Sequence, residues 1–132
     1  MHAFRAAVEA GDTDAIEALL AEDVVFTSPA VFKPYTGKAI TVAILRGVVR
    51  VFEDFRYVRE INDAGGRDHA LVFTARVGDK QVTGCDFLSV NEDGLIDDFM
   101  VMVRPLSGLQ ALAEAMGAQF DRILTDAETG SA

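Results

Sequence analysis

The stretch VTGCDFLSV, Val82 to Val90, sets an aspartate inside a run of strand-forming residues. Val82, Gly84 and Leu88 stand at even spacing from Asp86, and side chains two apart on a strand point to one face. A carboxyl on an apolar face keeps its proton to higher pH, because ionisation there forfeits hydration. Protonated, it can donate a hydrogen bond to a ligand oxygen. The alternative is that Asp86 bonds Thr74, Thr83, Tyr35 or a buried water and meets no ligand. His69 and Asp97 form a second candidate, a base oriented by a carboxylate, unless His69 is simply exposed at its strand start. Ser28, in TSP, offers a hydroxyl without a neighbouring base or a nucleophile elbow. Tyr35 either reaches a pocket mouth from its loop or packs as a lid. Cys85 reads as a packing residue and His2 as a terminal one without a role. No His, Asp or Glu cluster has metal-ligand spacing and no glycine-rich phosphate loop occurs, so neither a metal nor a cofactor is expected.

These residues need a scaffold, and the composition bounds it. At 132 residues, half of them hydrophobic and a quarter charged, the chain is sized for one domain with a substantial core. A formal net charge of -9 opposes binding to nucleic acid or to an anionic membrane surface. A single cysteine permits no intrachain disulfide. The N-terminus lacks a signal-peptide pattern, and the most apolar stretch, AITVAILRGVVRVF, is broken by Arg46 and Arg50 and too short to span a bilayer. The expectation is a soluble, cytoplasmic protein.

Hydrophobic period then assigns the elements. Phe4, Ala7 and Val8 share a helical face ended by Gly11; Asp12 caps a second short helix carrying Ile16, Leu19 and Leu20. Val24 to Thr27 is a short strand, residues 28–37 a loop, and Lys38 to Val51 a third helix. Four strands follow, at Phe55 to Ile61, His69 to Val77, Lys80 to Val90 and Leu95 to Arg104, separated by turn-forming residues. Ser107 and Gln110 make a capping box for a C-terminal helix, which Phe120, Ile123 and Leu124 can extend. The domain is expected over residues 1–124, with a flexible tail at 125–132. Helices first and a meander afterwards is the α+β pattern.

Strand parity carries the site. A two-residue turn near Asp79 puts Leu71, Phe73, Ala75 and Val77 on one face with Val82, Gly84, Asp86 and Leu88. The next loop adds Leu95, Asp97, Phe99, Val101 and Val103, unless a bulge inverts the assignment. That face is apolar with one placed polar group, the chemistry of a ligand pocket. The opposite face, with Val72, Thr74, Arg76, Thr83, Cys85, Phe87, Ile96, Met100 and Met102, is too apolar for solvent. It is expected to pair with a second copy of the chain, or else to lie under the C-terminal helix.

Three segments, AGDTDAIEALLAEDVVFTSP, YTGKAI and DFLSVNEDGLIDDF, make the chain similar to the nuclear transport factor 2-like superfamily, in its SnoaL-like branch. The resemblance spans roughly residues 3 to 118. It implies three N-terminal helices packed on a strongly curved, mostly antiparallel sheet, a cone enclosing a pocket, commonly in a dimer. Ketosteroid isomerase shares the superfamily, and Asp86 falls on its oxyanion-hole aspartate, a carboxylic acid held neutral in an apolar site. Phe4 falls where that isomerase has a tyrosine donor and Ser28 where it has its aspartate base. Phenylalanine cannot donate and an unassisted serine cannot deprotonate carbon, so ketosteroid isomerisation is not expected. Arg76 falls on the arginine of limonene epoxide hydrolase, but Gly78 and Val101 replace its aspartates.

The expected site is therefore Asp86, with His69 and Ser28 moving protons, lined by Phe4, Tyr35, Leu71, Phe73, Gly84, Leu88, Phe99 and Val101. Two functions stay open. One is a pocket for an apolar carbonyl- or hydroxyl-bearing ligand, with isomerase, cyclase or hydrolase chemistry if it reacts. The other is a non-catalytic dimeric binding or interaction module.

Overall fold

The computed structural model describes residues 1–131, and side chains through residue 129. Two short helices, α1 (His2–Glu9) and α2 (Thr13–Ala18), open the chain. Gly11 turns between them at φ 67°, and the Asp12 carboxylate caps α2 by accepting from the Ala15 N–H at 3.1 Å. Strand β1 (Leu20–Thr27) leads through a loop to the two-residue strand β2 (Tyr35–Thr36) and then α3 (Lys38–Val51). The hairpin strands are β3 (Glu53–Asn62), β4 (Asp68–Val77), β5 (Lys80–Val90) and β6 (Ile96–Arg104). Two helices close the chain, α4 (Leu106–Ala118) and α5 (Phe120–Ser131).

The six strands form one sheet in the order β2-β1-β6-β5-β4-β3. Only the β1–β6 pair is parallel; every other pair is antiparallel. The architecture is α+β, five helices and one mixed six-stranded sheet among the described residues. Leu71, Phe73, Ala75, Val77, Val82, Leu88 and Phe99 form one buried cluster with Phe4 of α1, Ile16 of α2, Val42 of α3 and Leu112 of α4. Phe99 receives Phe4 and Phe26 edge-on, with ring centroids 5.5 and 5.3 Å away, a geometry worth about 1 kcal/mol per pair beyond area burial. No helix among the described residues is long and apolar enough to cross a membrane.

Four expectations are corrected. The register between β5 and β6 slips between Ser89 and Val90, so that Val90 opposes Ile96 while Ser89 opposes Asp98. This bulge turns Ile96 into the core, fully buried, and moves Asp97 off the face assigned to it. The capping box is absent: α4 starts two residues early, the Leu109 N–H bonding the Pro105 carbonyl at 2.9 Å, and no side chain caps it. The C-terminal helix does not cover the outer face, since its Leu112 joins the inner core and Gly108 packs on Val82. Phe87 and Met102 on that face are 37% and 53% exposed. Finally, the segment expected as a tail is helical through Ser131, because Ile123 buries against Gly47 of α3 and Asp126 faces Arg50 at 3.6 Å. Ala132 lies outside the described residues.

Candidate functional site: a buried carboxyl in an apolar cavity

The meander brings three strands together at one point. Asp86 of β5 stands opposite Leu71 of β4 and Val101 of β6, as parity requires. Phe73 stands opposite both Gly84 on β5 and Tyr57 on β3. A Cβ on Gly84 would lie 2.2 Å from Phe73 Cζ, so the missing side chain is what admits the ring. With Phe73 settled there, the Tyr57 side chain reaches over to β5, and its hydroxyl donates to Asp86 Oδ2 at 2.6 Å. Both residues are buried, at 4% and 6% exposure. The other carboxyl oxygen, Oδ1, has no hydrogen-bond partner among the described residues.

Burial pushes the Asp86 carboxyl up to about 7, against the pull of the Tyr57 hydrogen bond, which lowers it. Burial first, and then the Asp86 charge, raise the Tyr57 hydroxyl above its ordinary value, so it stays protonated and acts as a donor only. The pair therefore spends one carboxyl oxygen on Tyr57 and presents a group that changes protonation near neutrality. Such a carboxyl can donate to a carbonyl or phenol oxygen when protonated, and can accept a proton when ionised.

The pair borders a cavity of about 360 Å³, at the smaller end of ligand pockets. Helices α1, α3, α4 and α5 close it over the inner face of the sheet. Its walls near the carboxyl are aromatic: Phe55 stacks on Phe73 with centroids 4.9 Å apart and meets Tyr57 edge-on at 5.0 Å. Asp86 is the single acidic or basic side chain in the lining. Among the described residues no cluster of metal-ligating side chains occurs.

Of the residues singled out in the sequence, Phe4, Ser28, Tyr35, Phe73, Asp86, Phe99 and Val101 line this cavity. Leu71, Gly84 and Leu88 share Asp86's face but do not. Leu71 and Leu88 are spent in the core at 0% and 2% exposure, and the space beside Gly84 is filled by Phe73. Ser28 sits where β1 leaves the sheet, and its Oγ accepts from the backbone N–H groups of Ala30 and Val31 at 3.3 and 3.0 Å, shaping the loop. His69 lies at the far rim of the sheet, bonded to Asn62 Oδ1 at 2.5 Å and the Gly66 carbonyl at 3.0 Å, and it does not line the cavity. The bulge keeps Asp97 from joining it. Arg76 lies away from the cavity too, bonded to Glu53, Asp54 and the Gly78 carbonyl. Tyr57 was not anticipated. Its signal was the spacing of Phe55 and Tyr57, two apart like any inward strand pair, but the long loop between β3 and β4 left their parity unfixed.

The model of the SnoaL-like domain family matches residues 1–99. No curated protein compared with the chain matches it. Among solved structures it is similar to a steroid delta-isomerase from Pseudomonas aeruginosa, 43% identical, with a TM-score of 0.87 over 92% of this chain and 89% of that one. It is also similar to an uncharacterized conserved bacterial protein with a cystatin-like fold from Silicibacter pomeroyi DSS-3, 40% identical, with a TM-score of 0.88 over 96% of this chain and 91% of that one. A putative polyketide cyclase from Pseudomonas putida KT2440, 22% identical, with a TM-score of 0.67 over 82% of this chain and 90% of that one, shares the fold. The family match and these likenesses run through the helices and strands that frame Asp86, and the chain belongs to the SnoaL-like domain family.

Proposed function

We propose that the chain binds a small apolar molecule through a carbonyl or hydroxyl oxygen held by Asp86. The observation that carries this reading is the buried Asp86 carboxyl, whose Oδ2 accepts from Tyr57 while its Oδ1 does not, in the wall of a largely apolar cavity. The likeness to the Pseudomonas aeruginosa steroid delta-isomerase supports an apolar carbonyl compound as the ligand class. Any turnover would use Asp86 itself to hold or move the proton, because neither Ser28 nor His69 has the surroundings of a base.

The test is a titration of the protein with 2-naphthol, a fluorescent phenol, beside an Asp86→Leu variant verified as folded by circular dichroism. Micromolar binding that the variant loses is expected. Equal binding by both proteins rejects the role of Asp86, and no binding by either favours the non-catalytic module.

A second reading concerns the outer face. Met102 lies beside Cys85, Phe87 beside Met100, and Phe87 and Met102 remain well exposed. A sheet with apolar side chains on both faces supports pairing of two copies through this surface. Sedimentation of a Met102→Lys variant tests it: a dimer that becomes a monomer supports the pairing, and an unchanged mass removes it.

A further inference from the structure

The cavity has a polar end and an apolar mouth, and the mouth continues onto the surface. Ala30, Val31, Val49, Ala113, Gly117 and Phe120 are the exposed residues of the lining, and none of them is polar. Val31, Val49 and Phe120 are 45%, 41% and 45% exposed. Beyond them, Phe32, next to Val31 on its loop, is fully exposed, and Leu124, one turn past Phe120 on α5, is 42% exposed. A rim open to water is ordinarily polar, and apolar surface continuous with a pocket marks something that covers it. A charge of -9 opposes an anionic membrane as that cover.

We infer that the ligand is an elongated amphiphile, its oxygen-bearing head against Asp86 and its apolar tail leaving the cavity across Val31 and Phe120 toward Phe32 and Leu124. This rests on the reading of Asp86 as the oxygen-binding group. The length of the tail, rather than more polar contacts, then sets affinity. Apart from the Ser28, Tyr35 and Tyr57 hydroxyls, the side chains lining the cavity beyond Asp86 are apolar, and the rim offers the tail apolar area that is otherwise hydrated.

The experiment is calorimetric titration with a series of 4-alkylphenols from ethyl to octyl. Each added methylene that stays in contact with the protein should tighten binding about fourfold. The expected result is a fall in Kd that continues through the longest members. In Phe32→Ser and Leu124→Ser, both outside the cavity, the short members should bind as in the parent while the gain from the last methylenes is lost. A Kd that levels off after the cavity is filled, identically in parent and variants, overturns the inference and leaves the Asp86 reading standing. Failure of 4-ethylphenol to bind overturns both. Sedimentation of the same variants supplies the remaining arm: a mass that drops in Leu124→Ser means the rim seats a second copy, and the tail does not run there.

Discussion

Asp86→Asn isolates the titration of one group, because asparagine keeps the shape and an acceptor for Tyr57 but cannot ionise. In the folded chain burial holds the carboxyl at about 7, against an ordinary value of 3.8. Between those two values the native state binds the proton that the unfolded chain has released. Stability from this group is thus complete below about 4 and is lost as pH rises through about 7. At about 1.4 kcal/mol per unit of pKa, the whole loss is about 4 kcal/mol, and the part falling between pH 5 and pH 8 is about 2–3 kcal/mol. Other carboxylates titrate in both proteins, so the difference between parent and variant reports Asp86 alone. Urea unfolding at pH 5 and pH 8 measures it; with m values of about 1–3 kcal/mol/M, the relative midpoint should move on the order of 1 M. The variant should gain on the parent as pH rises. A difference between the two proteins that is the same at both pH values would refute the claim that Asp86 is held in its neutral form by burial.

Three further outcomes follow from the same geometry. Tyr57→Phe removes the bond that lowers the Asp86 carboxyl, so its titration should move above 7 and unfolding should cost about 1–3 kcal/mol less, read by urea at pH 8. Gly84→Ala puts a Cβ against Phe73 and 2.8 Å from the Met102 carbonyl, which cannot yield; a loss of about 1–3 kcal/mol by thermal unfolding is expected, with weaker naphthol binding as Phe73 shifts into the cavity. Ile123→Ala should cost about 2–5 kcal/mol, while Asp126→Ala should cost about 1 kcal/mol or less, because α5 is held by a 2% exposed side chain rather than by a partly exposed ion pair at 3.6 Å. Equal losses in that pair would reverse the ranking.

Much of this was legible before the structure. Hydrophobic period marked α3 and β5 to the residue, since Lys38–Val51 carries one apolar stripe and Lys80–Val90 sets Val82, Leu88 and Val90 at even spacing. Parity through the tight turn near Asp79 put Asp86 on one face with Leu71, because either placing of a two-residue turn pairs odd positions with even ones; the structure sets the two directly opposite. The errors cluster where the backbone adds or omits a residue. A bulge after Ser89 swapped Ile96 for Asp97, and no side chain nearby announces it. The partner of Asp86 was hidden for a related reason: Tyr57 reaches it across an intervening strand, past a glycine that Phe73 fills, and a second register shift follows Tyr57 itself. Local propensity also misjudged the C-terminus. The polar sequence after Leu124 reads as a tail, yet Ile123 anchoring on Gly47 and Asp126 facing Arg50 support a helix that sequence composition alone does not favour.

The central claim is that burial keeps the proton on Asp86 and that the protonated carboxyl donates to a ligand oxygen. A carbon-13 NMR titration of the Asp86 carboxyl, assigned by its disappearance in Asp86→Asn and run without and with saturating 2-naphthol, reads this directly. The account predicts a midpoint near 7 in the free protein and a higher one in the complex, where the protonated form donates to the bound oxygen. A midpoint near 4 in the free protein, or one that naphthol leaves unmoved, would contradict it.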